Sequence, residues 1–154
     1  MNILYICTHN RCRSILSEAI TNHYASNDVR ALSAGSSPVG EVHPLSLKYL
    51  TEHGVSIDGL SSQSWDAFED ADIDMVVTVC DHAANEPCPM WFGDAIQVHW
   101  GLPDPSKLKG SEEEIRAAFY DVIRTIETRV HALLSLELHT LSNDEQQAAL
   151  ETLA

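Results

Sequence analysis

The feature that most constrains this chain is its opening. A short apolar run, Asn2-Ile3-Leu4-Tyr5-Ile6, passes through the polar octet Cys7-Thr8-His9-Asn10-Arg11-Cys12-Arg13-Ser14 into a segment patterned as the pairs Ile15/Leu16, Ala19/Ile20 and His23/Tyr24. Pairs recurring every four residues mark one face of a helix, and a short unbroken apolar run marks a strand buried on both faces. The opening is therefore a strand, a tight loop and a helix. In α/β sheets ligands bind beyond the carboxyl ends of the strands, which is where Cys7 falls.

The same alternation continues. Residues 29–34 predict a second strand, 35–40 a loop, and 44–53 a helix that begins at Pro44 and stops before Gly54. Residues 73–79 form the strongest buried-strand pattern and 95–99 a weaker one. From Glu112 to about Leu138, Ile115, Phe119, Val122, Ile126, Val130 and Leu133 keep helical period, with an acidic start and with Arg124, Arg129 and His131 suiting the far end of the helix dipole. The expected fold class is α/β: a single-domain, three-layer fold with a short parallel sheet flanked by helices. Residues 1–138 make the catalytic domain. Residues 139–154 form a C-terminal extension, where Ser142-Asn143-Asp144-Glu145 resembles a capping box and predicts a short helix.

Residues 1–6 lack the basic flank of a signal peptide, and no apolar run approaches a membrane span, so the expected location is cytoplasmic. In such a setting the four cysteines, Cys7, Cys12, Cys80 and Cys88, point to catalytic, redox or metal roles and away from a static disulfide framework. The net charge of −14 is uneven: residues 1–50 carry four Lys/Arg against three Asp/Glu, and residues 51–154 five against twenty. That balance excludes nucleic acid and anionic membrane as partners, since the phosphate attraction behind such binding would be reversed. An anionic ligand must be captured locally.

The loop can do that. A helix N-terminus offers free N–H groups and a favourable dipole, and a cysteine held there is expected to have a lowered pKa, in the range of about 3.5 to 7.5. Arg13 presents a planar fork to two oxygens of a tetrahedral anion, and Ser14 can donate to the thiolate or cap the helix.

Residues 4–14 resemble the phosphate-binding loop of the low-molecular-weight protein tyrosine phosphatases and their arsenate reductase relatives. The likeness extends through Ser33-Ala34-Gly35 and residues 76–80 to the long final helix. It implies that Cys7 is the nucleophile, that Arg13 binds the oxyanion with the rest of the loop (Thr8, His9, Asn10, Arg11, Cys12 and Ser14), and that Asp104 of Asp104-Pro105 is the general acid. Two positions depart from the family pattern: His9 stands where glycine or alanine is usual, and Arg11 where a small residue is common. Some members bind potassium at positions matching Asn10, Glu18 and Ser33, but Gln63 stands in place of a further acidic ligand here, and no metal is expected.

Within the family the resemblance favours the reductases. Ser106 follows Pro105 where the phosphatases carry a ring-stacking tyrosine, and Cys80 and Cys88 match the extra thiols of the reductases. The implied cycle forms a Cys7 arseno adduct, then a Cys7–Cys80 disulfide, then a Cys80–Cys88 disulfide. No tightly bound cofactor is implied. The external reductant would be thioredoxin, ahead of glutathione with glutaredoxin. Cys12 is expected to pack in the loop. The alternatives are a phosphatase acting on phosphomonoesters, an oxyanion sensor without turnover, and a four-cysteine zinc module. For zinc, the spacings Cys7-x4-Cys12 and Cys80-x7-Cys88 lack the short two-to-four-residue pattern in both halves.

Overall fold

The computed structural model describes residues 1–26, 28–80, 93 and 95–154. Four strands, β1 (Asn2–Ile6), β2 (Arg30–Ala34), β3 (Met75–Thr78) and β4 (Ile96–His99), form one parallel sheet in the order β2-β1-β3-β4. Among the described residues four α-helices accompany it: α1 (Arg13–Tyr24), α2 (Pro44–Glu52), α3 (Glu112–Ser135) and α4 (Asn143–Glu151). The α/β expectation holds, and the tail forms its helix behind a complete Ser142/Glu145 capping box.

The central strands explain the unbroken apolar runs. Ile3, Leu4, Tyr5 and Ile6 of β1, and Met75, Val76 and Val77 of β3, are all buried, as parallel strands covered on both faces must be. β4 lies at the edge, and there only Val98 is buried while Gln97 and His99 are exposed. This alternation is why its pattern was weak in the sequence. α1 packs on α3, which buries Phe119, Val122, Ile123, Ile126, Val130 and Leu133, each contributing about 1.5–3 kcal/mol through burial.

Two elements are shorter than their sequence pattern. β3 begins at Met75 because the Asp74 carboxylate turns back to accept from Asn2 N at 2.7 Å, capping the strand start. α3 ends at Ser135 because Leu136 turns extended (φ −76°, ψ 135°), which carries Leu138 into the core.

Each strand's carboxyl end feeds one piece of the site. β1 leads to Cys7, β2 to Gly35, β3 to Cys80, and β4 to residues 100–104. Two clefts, by contrast, open at the amino ends of the strands beside Met1. No helix among the described residues is long and apolar enough to cross a membrane.

Candidate active site

The loop starts with Cys7 N donating to Ala34 O at 3.3 Å, which ties it to β2. Its carbonyls are then held outward. Thr8 O accepts from Ser37 N (2.9 Å), His9 O from Val39 N and Ser62 Oγ (both 3.2 Å), and Arg11 O from His43 N (2.9 Å). A peptide plane sets N–H opposite C=O, so the amides of His9, Asn10 and Cys12 face the concave side. The His9 N–H reaches the Cys7 sulfur. Successive inward amides at the start of α1 make an anion-binding nest.

Asn10 is the brace of this loop. It takes a left-handed conformation (φ 47°), which asparagine tolerates better than most residues, and it is fully buried. Its Nδ2 donates to Ser14 Oγ (2.8 Å) and Ser33 Oγ (3.0 Å), and its Oδ1 accepts from Gln63 N (2.8 Å). The side chains of Asn10 and Ser14 thus hold the loop's shape; what faces the anion from this stretch is backbone. Gly35 is required beside them, since a Cβ there would stand 2.5 Å from Thr8 O and 2.8 Å from Cys7 O.

The putting together of Asn10, Ser33, Glu18 and Gln63 bears on the potassium site of some relatives. Ser33 Oγ donates to Glu18 Oε1 at 2.6 Å, and the Gln63 amide donates to Ser33 O at 3.3 Å. The cluster is thus held together by its own hydrogen bonds, with Gln63 contributing a donor where an acidic residue would contribute only acceptors. Among the described residues no cluster of His, Cys, Asp or Glu could hold a metal.

Arg13 and Asp104 meet across the site. Arg13 Nη1 donates to Leu102 O at 3.1 Å, and Nη2 lies 3.6 Å from Asp104 Oδ2. Its buried Nε has no hydrogen-bond partner among the described residues. The edge formed by Nε and Nη2 is therefore the fork available to an oxyanion, while Nη1 stays on the backbone. Asp104 Oδ1 accepts from Ser106 N (3.0 Å) and Ser106 Oγ (2.6 Å), which leaves Oδ2 toward Arg13.

Cys7 and Cys80 are both buried, and their thiols are hydrogen-bonded; Thr8 Oγ1 also approaches Cys80 Sγ at 3.6 Å. This overturns the expected lowering of the Cys7 pKa. The Cys80 hydrogen bond first, then burial and the Cys80 charge, push the Cys7 thiol up, against the opposing pull of Arg13 and the His9 N–H. One proton serves two sulfurs, so the pair ionises in two separated steps and the second is disfavoured. Cys12 is buried in the loop as expected; burial pushes its thiol up to about 11 despite a hydrogen bond with Ser46. His9 is exposed, with Nδ1 3.3 Å from Ser37 O, and Arg11 is half-buried. Cys88 lies outside the described residues.

Residues 2–147 match the low molecular weight phosphotyrosine protein phosphatase family. The chain belongs to that family. It is 36% identical over 128 residues to an arsenate reductase of Halalkalibacterium halodurans, covering 83% of this chain and 91% of that one. An arsenate reductase of Bacillus subtilis is 34% identical over 122 residues, covering 79% and 86%. Among solved structures, an arsenate reductase from Archaeoglobus fulgidus superposes with a TM-score of 0.72 at 26% identity, covering 87% of this chain and 99% of that one. The thioredoxin-dependent arsenate reductase of Corynebacterium glutamicum gives 0.64 at 32% identity; the match covers 86% of this chain and 59% of that longer one.

Several contributors escaped the sequence reading. His43 and Ser62 support the loop from distant segments, and no local pattern marks either. Arg129 was read as a complement to the helix dipole. Its side chain instead donates to Trp100 O (3.0 Å) and Gly101 O (3.2 Å).

Proposed function

We propose that this chain is a cytoplasmic arsenate reductase in which Cys7 is the nucleophile, Arg13 the oxyanion clamp, Asp104 the general acid, and Cys80 and Cys88 the relay thiols. The observation that carries this reading is that the buried Cys80 thiol, at the carboxyl end of β3, neighbours the buried Cys7 thiol at the carboxyl end of β1. A hydrolase needs no second thiol against its nucleophile, whereas a reductase needs one within bonding reach.

The chemistry runs in three exchanges. Once the Cys7–Cys80 pair has given up its first proton to solvent, the Cys7 thiolate attacks arsenic, forming an S–As bond, while an As–O bond breaks and its oxygen departs as water with the proton that Asp104, in its protonated form, carries on Oδ2. The loop amides and the Nε/Nη2 edge of Arg13 hold the remaining oxygens as charge redistributes. Cys80 thiolate then attacks Cys7 Sγ; the S–As electron pair stays on arsenic, which leaves as arsenite, and a Cys7–Cys80 disulfide remains. Cys88 attacks Cys80 and frees Cys7. Thioredoxin, a dithiol reductant, reduces the resulting Cys80–Cys88 disulfide, in keeping with the thioredoxin-dependent structural relative.

The position after Pro105 bears on the phosphatase alternative. Ser106 is spent on Asp104 through both its N–H and its hydroxyl, and it supplies no aromatic surface for a phosphotyrosine ring. Inorganic phosphate should still bind as a competing anion.

The test is a reduction assay with arsenate, run once with thioredoxin and once with glutathione and glutaredoxin, joined to mass spectrometry after one turnover. Cys88→Ser should stop as a Cys7–Cys80 disulfide, and Cys80→Ser should stall before any disulfide forms. Thioredoxin-coupled turnover at the full rate without Cys80 would overturn the relay.

A further inference from the structure

The segment that carries Asp104 presents three successive carbonyls, at Trp100, Gly101 and Leu102, and two arginines read them. Arg129 Nη1 takes Trp100 O (3.0 Å) and Gly101 O (3.2 Å) from α3. Arg13 Nη1 takes Leu102 O (3.1 Å) from the anion loop. The base of the segment is pinned from a third direction, because the buried Trp100 donates its indole N–H to Leu150 O of α4 at 3.0 Å. On the sheet side, Trp100 N donates to Thr78 O (2.8 Å) and Leu102 N to Val79 O (3.0 Å).

Arg129 makes no ion pair among the described residues, and burial alone pulls its pKa down. Desolvating even half of a guanidinium is costly, and two carbonyls repay only part of it. A purely structural contact at this place could be made by an uncharged donor. Arg13, meanwhile, has to serve the oxyanion with one edge and Leu102 O with the other, so it cannot by itself set where Asp104 lies.

We infer that Arg129 is a positioning residue for Asp104: its hold on the Trp100 and Gly101 carbonyls, backed by the Trp100–Leu150 contact, keeps the Asp104 segment in register with the anion loop while Arg13 binds the oxyanion. This rests on the reading of Asp104 as the general acid. Arg129 touches no reacting atom. Loosening its grip shifts the carboxyl relative to the departing oxygen, and misplacement of about 1 Å can cost on the order of a hundredfold in rate.

The experiment is a double-mutant cycle on the full chain, read as the single-turnover rate of arsenite formation at saturating arsenate. Arg129→Met should slow that rate about tenfold, with the arsenate KM changed by less than about twofold and phosphate protection of Cys7 from alkylation intact. Arg129→Lys should recover part of the loss, because one ammonium can still bond a carbonyl. In an Asp104→Asn background, Arg129→Met should have almost no further effect. The same loss with and without the Asp104 carboxyl, or no loss in either, overturns the inference. If Asp104→Asn alone leaves the rate unchanged, the acid assignment fails and the inference falls with it. Should Arg129→Met not fold, Arg129→Gln, which keeps a polar end but is too short to bond both carbonyls, puts the same cycle to the same decision.

Discussion

The anion loop and the segment bearing Asp104 meet at Arg13, yet they are held by different means. Residues 7–14 are fastened by hydrogen bonds on several sides, with Asn10 saturated at its centre and Gly35 pressed against its back. Residues 100–104 are held through their carbonyls by two guanidinium groups, through the Trp100 indole by Leu150 O, and through Trp100 N and Leu102 N by the end of β3. The first arrangement is a preformed cradle. The second shares one anchor with the first, since Arg13 must hold Leu102 O with one edge while the other faces Asp104 and the oxyanion.

The largest effects should come from the cradle. Cys7→Ser should abolish arsenate reduction, since a hydroxyl is a far weaker nucleophile than a thiolate and cannot go on to form a disulfide. Arg13→Lys keeps the charge but loses the Nε/Nη2 edge, and the rate should still fall steeply because an ammonium cannot reproduce a planar fork. Steady-state assays with arsenate and phosphate competition read both. Near-normal turnover in Arg13→Lys would mean that charge suffices and that the fork was misassigned.

Asp104→Asn probes the other region. Asn can keep accepting from Ser106 at one oxygen, so the fold of the segment should survive while the proton is lost. The first chemical step should slow on the order of a hundredfold. An unchanged rate would show that this segment contributes only shape.

That contrast also separates what was legible in the sequence from what was not. The cradle is contiguous, so residues 7–14 could be read directly, as could the apolar runs of β1 and β3. The support around it comes from positions distant in the chain: His43, Ser62, Gln63 and Arg129 act through backbone groups, and a backbone contact leaves no residue pattern behind. The lowered Cys7 pKa was expected from one feature, the helix start. It failed because a second thiol, 73 positions away, hydrogen-bonds to it.

Gly35→Ala tests how rigid the cradle is. A methyl group there would meet two backbone carbonyl oxygens inside contact distance, and neither belongs to a flexible side chain. Overpacking of this kind costs about 1–3 kcal/mol, and the displaced loop should also bind phosphate more weakly. Urea unfolding and phosphate titration measure the two effects. A loss of stability without weaker phosphate binding would show that the cradle keeps its shape when its back is pushed.

The smallest effect concerns Cys12, the loop residue buried at the start of α1. Its thiol is pushed up from 9.0 to about 11, chiefly by burial, so the folded chain keeps a proton there that the unfolded chain releases. The sign follows from proton counts. Between about pH 9 and pH 11 the native state binds more protons than the unfolded state, so this group's stabilisation is complete below the unfolded value and drains away as pH rises through the window. Tyr5, raised by burial to about 12, acts in the same direction at higher pH, and Cys7 also favours its protonated form. The decline in the wild type is therefore a sum, and only a difference isolates Cys12. Cys12→Ala should be modestly less stable at pH 7.5, because a buried sulfur is replaced by space. Its urea midpoint should then fall less steeply than the wild type's from pH 9 to 11, so that the two curves approach each other. Parallel curves across that window would mean that the Cys12 thiolate is tolerated inside the loop, and that the cradle is more open on this side than its burial implies.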